Sequence, residues 1–189
     1  AVRDAVPAHI PVSAKMRLGY MDRNYTLENA HAIEDAGASW LTVHARTKAE
    51  GYTPPAYWDQ LKPIREALKI NVIANGEIWN NADAKQCQIE SGCEDLMIGR
   101  GAVTTPDITQ CIRQNTEQPL LNWNDLLALQ IRFLNGSYKK EMNMVGRYKQ
   151  WLGMMSKHYP EAKELWGQVK RLKKIDEVLV QLQSSTSNK

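Results

Sequence analysis

Four short stretches hold the residues that could do chemistry: 14-AKMRLG-19, 42-TVHARTKAEGY-52, 72-VIANGEI-78 and 97-MIGRGA-102. In the third, a β-branched apolar run gives way abruptly to Asn75, Gly76 and Glu77; in the fourth, Leu96, Met97 and Ile98 open into Gly99, Arg100 and Gly101. Strands buried on both faces read as continuous apolar runs, so polar groups at such a junction belong at or beyond the end of a sheet, within reach of a ligand. Glycines let backbone N–H groups approach an anion, and an arginine beside them adds a forked cation. The two junctions together read as a cradle for a phosphorylated ligand.

The elements that must position these groups alternate. Residues 11–19, 39–46, 70–76 and 95–101 read as strands, and 27–37, 57–68, 81–91 and 106–114 as helices, the second interrupted at Pro63. Strand–helix alternation at this spacing implies right-handed crossovers and a parallel sheet, either doubly wound or part of a (β/α)8 barrel. Four such units amount to about half of the ~250 residues of a typical barrel. Side-chain parity sorts each strand: Ser13, Lys15 and Arg17 oppose Val12, Ala14, Met16 and Leu18, while Thr42, His44 and Arg46 oppose Leu41, Val43 and Ala45. Ile73, Asn75 and Glu77 likewise oppose Val72 and Ala74. Lys15, Arg17, His44, Asn75 and Glu77 are therefore expected at one mouth, where barrel active sites lie. Two bland alternatives stay open: Lys15 with Glu77 as a buried ion pair, and His44 as a satisfied core histidine.

Composition bounds the remaining classes. The 189 residues are 43% hydrophobic and 24% charged, an ordinary globular balance. Cys87, Cys93 and Cys111 are odd in number and form no CxxC, which suits a reducing cytoplasm; they show no ligand spacing with the four histidines, so no metal is expected. There is no run of ~18 apolar residues and no secretory signal layout, so no membrane partner is expected. Charge is uneven: residues 1–124 hold twelve Lys and Arg against fifteen Asp and Glu, and residues 125–189 twelve against six. In that basic third, Met144, Tyr148, Trp151 and Met155 form one helical stripe, and Ala162, Leu165, Trp166, Val169, Leu172, Leu179 and Leu182 another, both read as packing. Lys139, Lys140, Arg147, Lys149, Lys157, Lys163, Lys170, Arg171, Lys173 and Lys174 would face outward, suited to phosphates through counterion release.

The four motifs in this order, followed by 146-GRYKQWLGMMSKHYPEAKELW-166, resemble the C-terminal portion of the tRNA-dihydrouridine synthase family, most of all its bacterial C-type branch. The resemblance implies the C-terminal half of an FMN-binding (β/α)8 TIM barrel over 1–118, an all-α, basic helical bundle domain over 119–183 that contacts tRNA, and a disordered tail over 184–189. It further implies that NADPH reduces FMN and that hydride then passes to the C5=C6 bond of a D-loop uridine, position 16 being suggested by the branch. By motif, Lys15 and His44 would contact the isoalloxazine; Asn75, Gly76 and Glu77 the ribityl–phosphate side; Gly99 and Arg100 the phosphate. Arg17 would reach the target base, with Arg46 and Tyr52 at the mouth. Arg147, Lys149, Lys170, Arg171 and Lys174 would meet the RNA backbone. The full-length protein is expected to be cytoplasmic and monomeric.

The family's catalytic cysteine lies on an earlier loop, and none of the three cysteines here matches its motif, so no catalytic acid is assigned in this segment. Two other readings remain: an FMN-dependent barrel oxidoreductase acting on a small metabolite, which would need no basic tail, and a non-catalytic RNA-binding module, which would not need the mouth. Half a barrel exposes two strand edges and an apolar interior. Residues 1–189 alone are accordingly expected to bind FMN poorly and reduce no uridine, as read by flavin absorbance and by dihydrouridine assay of the purified segment.

Overall fold

A computed structural model describes residues 2–136 and 141–186. The chain divides into two compact units at Gly101/Ala102.

The first unit opens with a single helical turn, α1 (Val2–Ala5). Four parallel strands follow, β1 (Ala14–Arg17), β2 (Trp40–His44), β3 (Asn71–Asn75) and β4 (Leu96–Met97), in the spatial order β1-β2-β3-β4. Between them lie α2 (Thr26–Asp35), a 3-10 turn (Trp58–Leu61) leading into α3 (Lys62–Ala67), and α4 (Asn81–Ser91). Strand order that follows chain order, with right-handed crossovers, sends every helix to the same face of the sheet. In agreement, α2 packs on β2 and α3, and α3 and α4 pack on β3 and on each other. The register sets Ala14 beside Leu41 and Val72, and Met16 beside Val43 and Ala74. Leu41, Val43, Val72 and Ala74 are fully buried beneath the helices. The opposite face carries the rows Lys15–Thr42–Ile73 and Arg17–His44–Asn75–Met97. In-register parallel strands share side-chain direction, so parity inside the strands resolves as the sequence indicated.

Local chemistry explains the boundaries. Asn80 accepts a hydrogen bond from the Asp83 amide at 2.7 Å and caps α4, which closes at Gly92. Pro63 does not interrupt a helix; it occupies the first turn of α3, where its missing N–H costs nothing. The fourth strand is shorter than 95–101, because at Arg100 the backbone turns helical as α5 (Arg100–Thr104).

The second compact unit begins at Ala102. Residues expected to complete the last βα unit, α6 (Ile108–Arg113), fall within it, and Asp107 Oδ2 accepts from the amides of Leu120 and Leu121 at 2.6 and 2.8 Å. Next come α7 (Trp123–Leu134), opened by a reciprocal Asn122/Asp125 capping box, α8 (Glu141–Met155), α9 (Pro160–Val169) and α10 (Ile175–Thr186). Their shared core includes Leu126, Leu127, Tyr148, Leu152, Met155, Leu165, Val169 and Leu182, so the stripes read as packing are packing. The stripe over 161–182 is carried by two helices, α9 and α10, that part at 170–174. Residues 184–186 are helical, with Ser184 and Ser185 donating to the carbonyls of Val180 and Gln181, where a disordered tail was expected; 187–189 and the cations Lys139 and Lys140 lie outside the described residues.

Inside this core the Tyr148 hydroxyl donates to Gln130 Oε1 at 2.9 Å, and Gln130 Nε2 donates to the Leu126 carbonyl at 3.1 Å. Both side chains are fully buried, and burial pushes the Tyr148 phenol well above its ordinary pKa. Tyr148→Phe leaves the Gln130 oxygen buried without its donor, so urea titration of the second unit's unfolding is expected to show a loss of about 1–3 kcal/mol.

Candidate functional site

The row Arg17–His44–Asn75–Met97 is the last before all four strands end, and past it lies a cavity of about 410 Å³. Lys15, Arg17, His44, Tyr52, Asn75, Gly76, Glu77, Gly99 and Arg100 all line it. Of the positions singled out at this mouth, only Arg46 does not.

Arg46 is fully buried and turned inward. Its Nε donates to the Pro55 carbonyl at 3.0 Å and one terminal nitrogen donates to Glu77 Oε1 at 2.9 Å. Parity placed it at the mouth, but parity holds only while the chain is a strand. β2 stops at His44, and the Arg46 amide closes a tight turn onto the His44 carbonyl at 2.6 Å. Arg46 is thus a clamp beneath the site.

Glu77 is what it clamps. Residue 77 is non-glycine at φ +52°, a conformation that persists when its surroundings fix it. Its Oε1 accepts from Arg46 and from Arg100, the latter at 2.5 Å, and its Oε2 accepts from the Trp79 indole at 2.9 Å. Burial alone would raise the carboxyl, but the Trp79 and Arg46 hydrogen bonds and the two guanidinium charges outweigh it and hold the group below the usual carboxylate range. Arg100 lies 4.9 Å from the ring centroids of both Tyr52 and Trp79, close enough for cation–π attraction to each.

Gly76 joins β3 to this network at φ +127°. A Cβ there would meet His44 Cδ2 at 3.0 Å and Ala56 Cβ at 3.3 Å, and the Gly76 carbonyl is held by the Trp58 indole at 2.8 Å. The Asn75 amide donates to the Met97 carbonyl at 2.7 Å, tying β3 to β4. At Gly101 a Cβ would lie 2.1 Å from the Ile78 carbonyl oxygen, so the segment after β4 passes this close only as glycine. A Cβ at Gly99 would meet nothing within 4 Å, so its bareness faces open space.

Arg17 anchors the loop after β2 through the carbonyls of Thr47 and Gly51, at 2.8 and 3.0 Å, and its guanidinium lies 5.3 Å from the Tyr52 ring. The same loop is closed by Glu50, which accepts from the Thr47 amide at 2.7 Å and from Arg23. Two contributors escaped the sequence reading. Glu50 was signalled by the Thr-x-x-Glu spacing of 47–50, a capping-box pattern. Trp79 carried no comparable signal, since only folding brings its indole back onto Glu77.

Lys15, Arg17, Arg46 and Arg100 leave the cavity strongly cationic around one carboxylate. Burial lowers the Lys15 ammonium and the Arg17 charge lowers it further, against an opposing pull from Tyr52. His44 falls from 6.5 to about 4, first through burial and then through Arg17, Lys15, Arg46 and Arg100. The site thus offers a neutral imidazole beside a field that attracts anions. Elsewhere, Cys87, Cys93 and Cys111 are buried free thiols; burial raises all three, Cys87 to about 12, which makes them poor nucleophiles and acids. No group of three or more His, Cys, Asp or Glu able to hold a metal occurs among the described residues, and no helix among them is long and apolar enough to cross a membrane.

In the second unit the expected backbone contacts divide. Arg147, Lys170, Arg171 and Lys174 are exposed. Lys149 is not: its ammonium donates to the carbonyls of Lys170 and Leu172, at 2.9 and 2.5 Å, because those groups lie past the end of α9 without helical partners.

Two outcomes follow for the mouth. Because the folded state resists protonating His44, its imidazole signals in NMR should stay those of the neutral ring from pH 8 down to about pH 5. The unfolded chain takes up that proton near its ordinary value, so the contribution of this group to stability falls as pH drops from 6.5 towards 4. Gly76→Ala should cost roughly 1–3 kcal/mol in chemical denaturation, through the positive φ alone, and should shift the His44 resonances.

A family model described as dihydrouridine synthase matches residues 1–188. The tRNA-dihydrouridine(16) synthase of Shewanella oneidensis is 44% identical over 95% of this chain and 57% of its own length. That of Pseudomonas putida is 43% identical over 90% of this chain and 54% of its own, and that of Neisseria meningitidis 44% over 94% and 55%. The chain therefore spans little more than half the length of these relatives. With its motifs gathered on one cavity and a match running from end to end, the chain belongs to the dihydrouridine synthase family.

Proposed function

We propose that this chain is the flavin-holding and RNA-contacting part of an FMN-dependent tRNA-dihydrouridine synthase that acts on a D-loop uridine, at position 16, with NADPH as reductant, in the cytoplasm and as a monomer. One observation carries the reading: the residues matching the family's motifs share a single cationic cavity at the carboxyl ends of the parallel strands. The modified position is suggested by the relatives named tRNA-dihydrouridine(16) synthase.

The four strands are read as half of a (β/α)8 barrel over residues 1–118. Sequential strand order and helices on one face only support this, since the uncovered face carrying Lys15, Thr42 and Ile73 would line a barrel interior. The cavity suits FMN on three counts: its volume is that of a small-ligand site, cations surround it, and Gly99 leaves open space beside Arg100. When bound, FMN would supply the hydride that adds to one carbon of the uridine C5=C6 bond. Lys15 would set a positive charge beside the ring system, and His44, kept neutral, would offer it a hydrogen bond without adding charge. Asn75, Gly76 and Glu77 would border the ribityl–phosphate side. Gly99 would give the phosphate access to backbone N–H groups, and Arg100, braced by Glu77, would meet its charge. Arg17 and Tyr52 would border the target base. The proton for the second carbon would come from the family's cysteine, upstream of this chain. Residues 119–183 are read as a basic helical domain whose exposed Arg147, Lys170, Arg171 and Lys174 meet the tRNA backbone.

The test is to restore the upstream half, look for bound flavin by absorbance, and assay dihydrouridine in tRNA that lacks it; a colourless, inactive full-length protein overturns the proposal. In that protein Arg100→Gln should weaken FMN binding by roughly ten- to hundredfold, the worth of a charge-assisted hydrogen bond, while riboflavin, which has no phosphate, loses little. Equal losses for both ligands would remove Arg100 from the phosphate.

A further inference from the structure

The turn between α9 and α10 reads 170-KRLKK-174 and is built rather than loose. The Lys170 amide donates to Trp166 O and the Leu172 amide to Val169 O, both at 3.0 Å, and Val178 N reaches Lys174 O at 3.3 Å. Leu172 is half-buried and packs on the core of the unit. From below, the Lys149 ammonium on α8 spans the turn by donating to the carbonyls of Lys170 and Leu172. With the carbonyls of Lys170 and Leu172 held by one cation and its single apolar side chain packed on the core, the turn has its other four side chains, Lys170, Arg171, Lys173 and Lys174, all exposed. The acids next in sequence, Asp176 and Glu177, sit in the first turn of α10, where they complement that helix's own amino end.

We propose that 170–174 is a preformed phosphate-binding turn for an RNA backbone, and that Lys149 is its positioning residue and not a phosphate contact. The partner is a polyphosphate strand because four exposed cations held about one short turn supply the concentrated positive charge that a phosphate backbone meets through counterion release. Lys149 contributes by keeping the turn ordered before RNA arrives, so that binding does not have to supply the order. The proposal rests on the reading of this protein as a tRNA-modifying enzyme and deepens it, by moving Lys149 out of the contact set and bringing Lys173 into it.

The experiment measures the Kd of an unmodified tRNA transcript against salt concentration in the full-length protein. Each lost phosphate contact flattens the log–log salt slope by about one. Arg171→Gln and Lys173→Gln should each do so. Lys149→Met should weaken binding by roughly five- to tenfold with the slope unchanged, since the four contacting cations remain and only their order is lost; Lys149→Arg, which keeps donors and charge, should restore most of the affinity. A slope flattened by about one in Lys149→Met makes Lys149 a contact and overturns the assignment. Unchanged affinity in that variant, with only a lower Tm, reduces Lys149 to a structural cap and overturns it equally. Unchanged slopes in both Arg171→Gln and Lys173→Gln remove the turn from the RNA. Should Lys149→Met not fold, Lys149→Gln is read in the same ways. A wild-type protein that binds no tRNA sinks the functional proposal instead, which keeps the two failures apart.

Discussion

The mouth of the first unit hangs on a single carboxylate. Glu77 sits just beyond β3 in a backbone conformation that a non-glycine residue keeps only under constraint, and it takes donors from the segments after three strands: Arg46 after β2, Trp79 after β3 and Arg100 after β4. A parallel sheet fixes its strands by backbone hydrogen bonds but leaves the chain beyond them free to diverge. Here one acid with two oxygens gathers what emerges. Replacing Glu77 with a neutral residue would leave Arg46 fully buried and without its counter-charge, a far larger penalty than losing a surface ion pair.

From that constraint follows the electrostatic character of the cavity. The one negative charge offsets only one of the two guanidiniums it holds, so a net positive potential, with Lys15 and Arg17 added, is directed at the open space. Burial first, and then the surrounding cations, keep His44 neutral, and a neutral imidazole can both donate and accept a hydrogen bond where an imidazolium can only donate. Arg100 is held in place by two aromatic rings as well as by the acid, so it meets an incoming anion with little orientational freedom left to lose.

The second unit uses a lysine where the first uses a glutamate. Lys149 gathers carbonyls past the end of α9 much as Glu77 gathers donors past the ends of strands. In both units a charged side chain that the sequence offers as a ligand contact is turned onto the protein's own backbone or side chains, and the residues it holds are the ones left facing outward.

The sequence alone determined what local rules govern. Strand–helix alternation, the burial of Leu41, Val43, Val72 and Ala74, and the shared direction of Lys15, Arg17, His44 and Asn75 all follow from a side-chain period of two, and that period is reliable wherever backbone hydrogen bonds keep the strand extended. The core stripes of α8, α9 and α10 follow from the helical period in the same way. Only the tertiary structure decided what happens where those periods end. Arg46 lies two residues past β2 and turns inward onto Glu77, and Lys149 reaches across to the turn after α9. Each depends on contacts between residues distant in sequence, and no local periodicity encodes which unpaired carbonyl or carboxylate a long charged side chain will find.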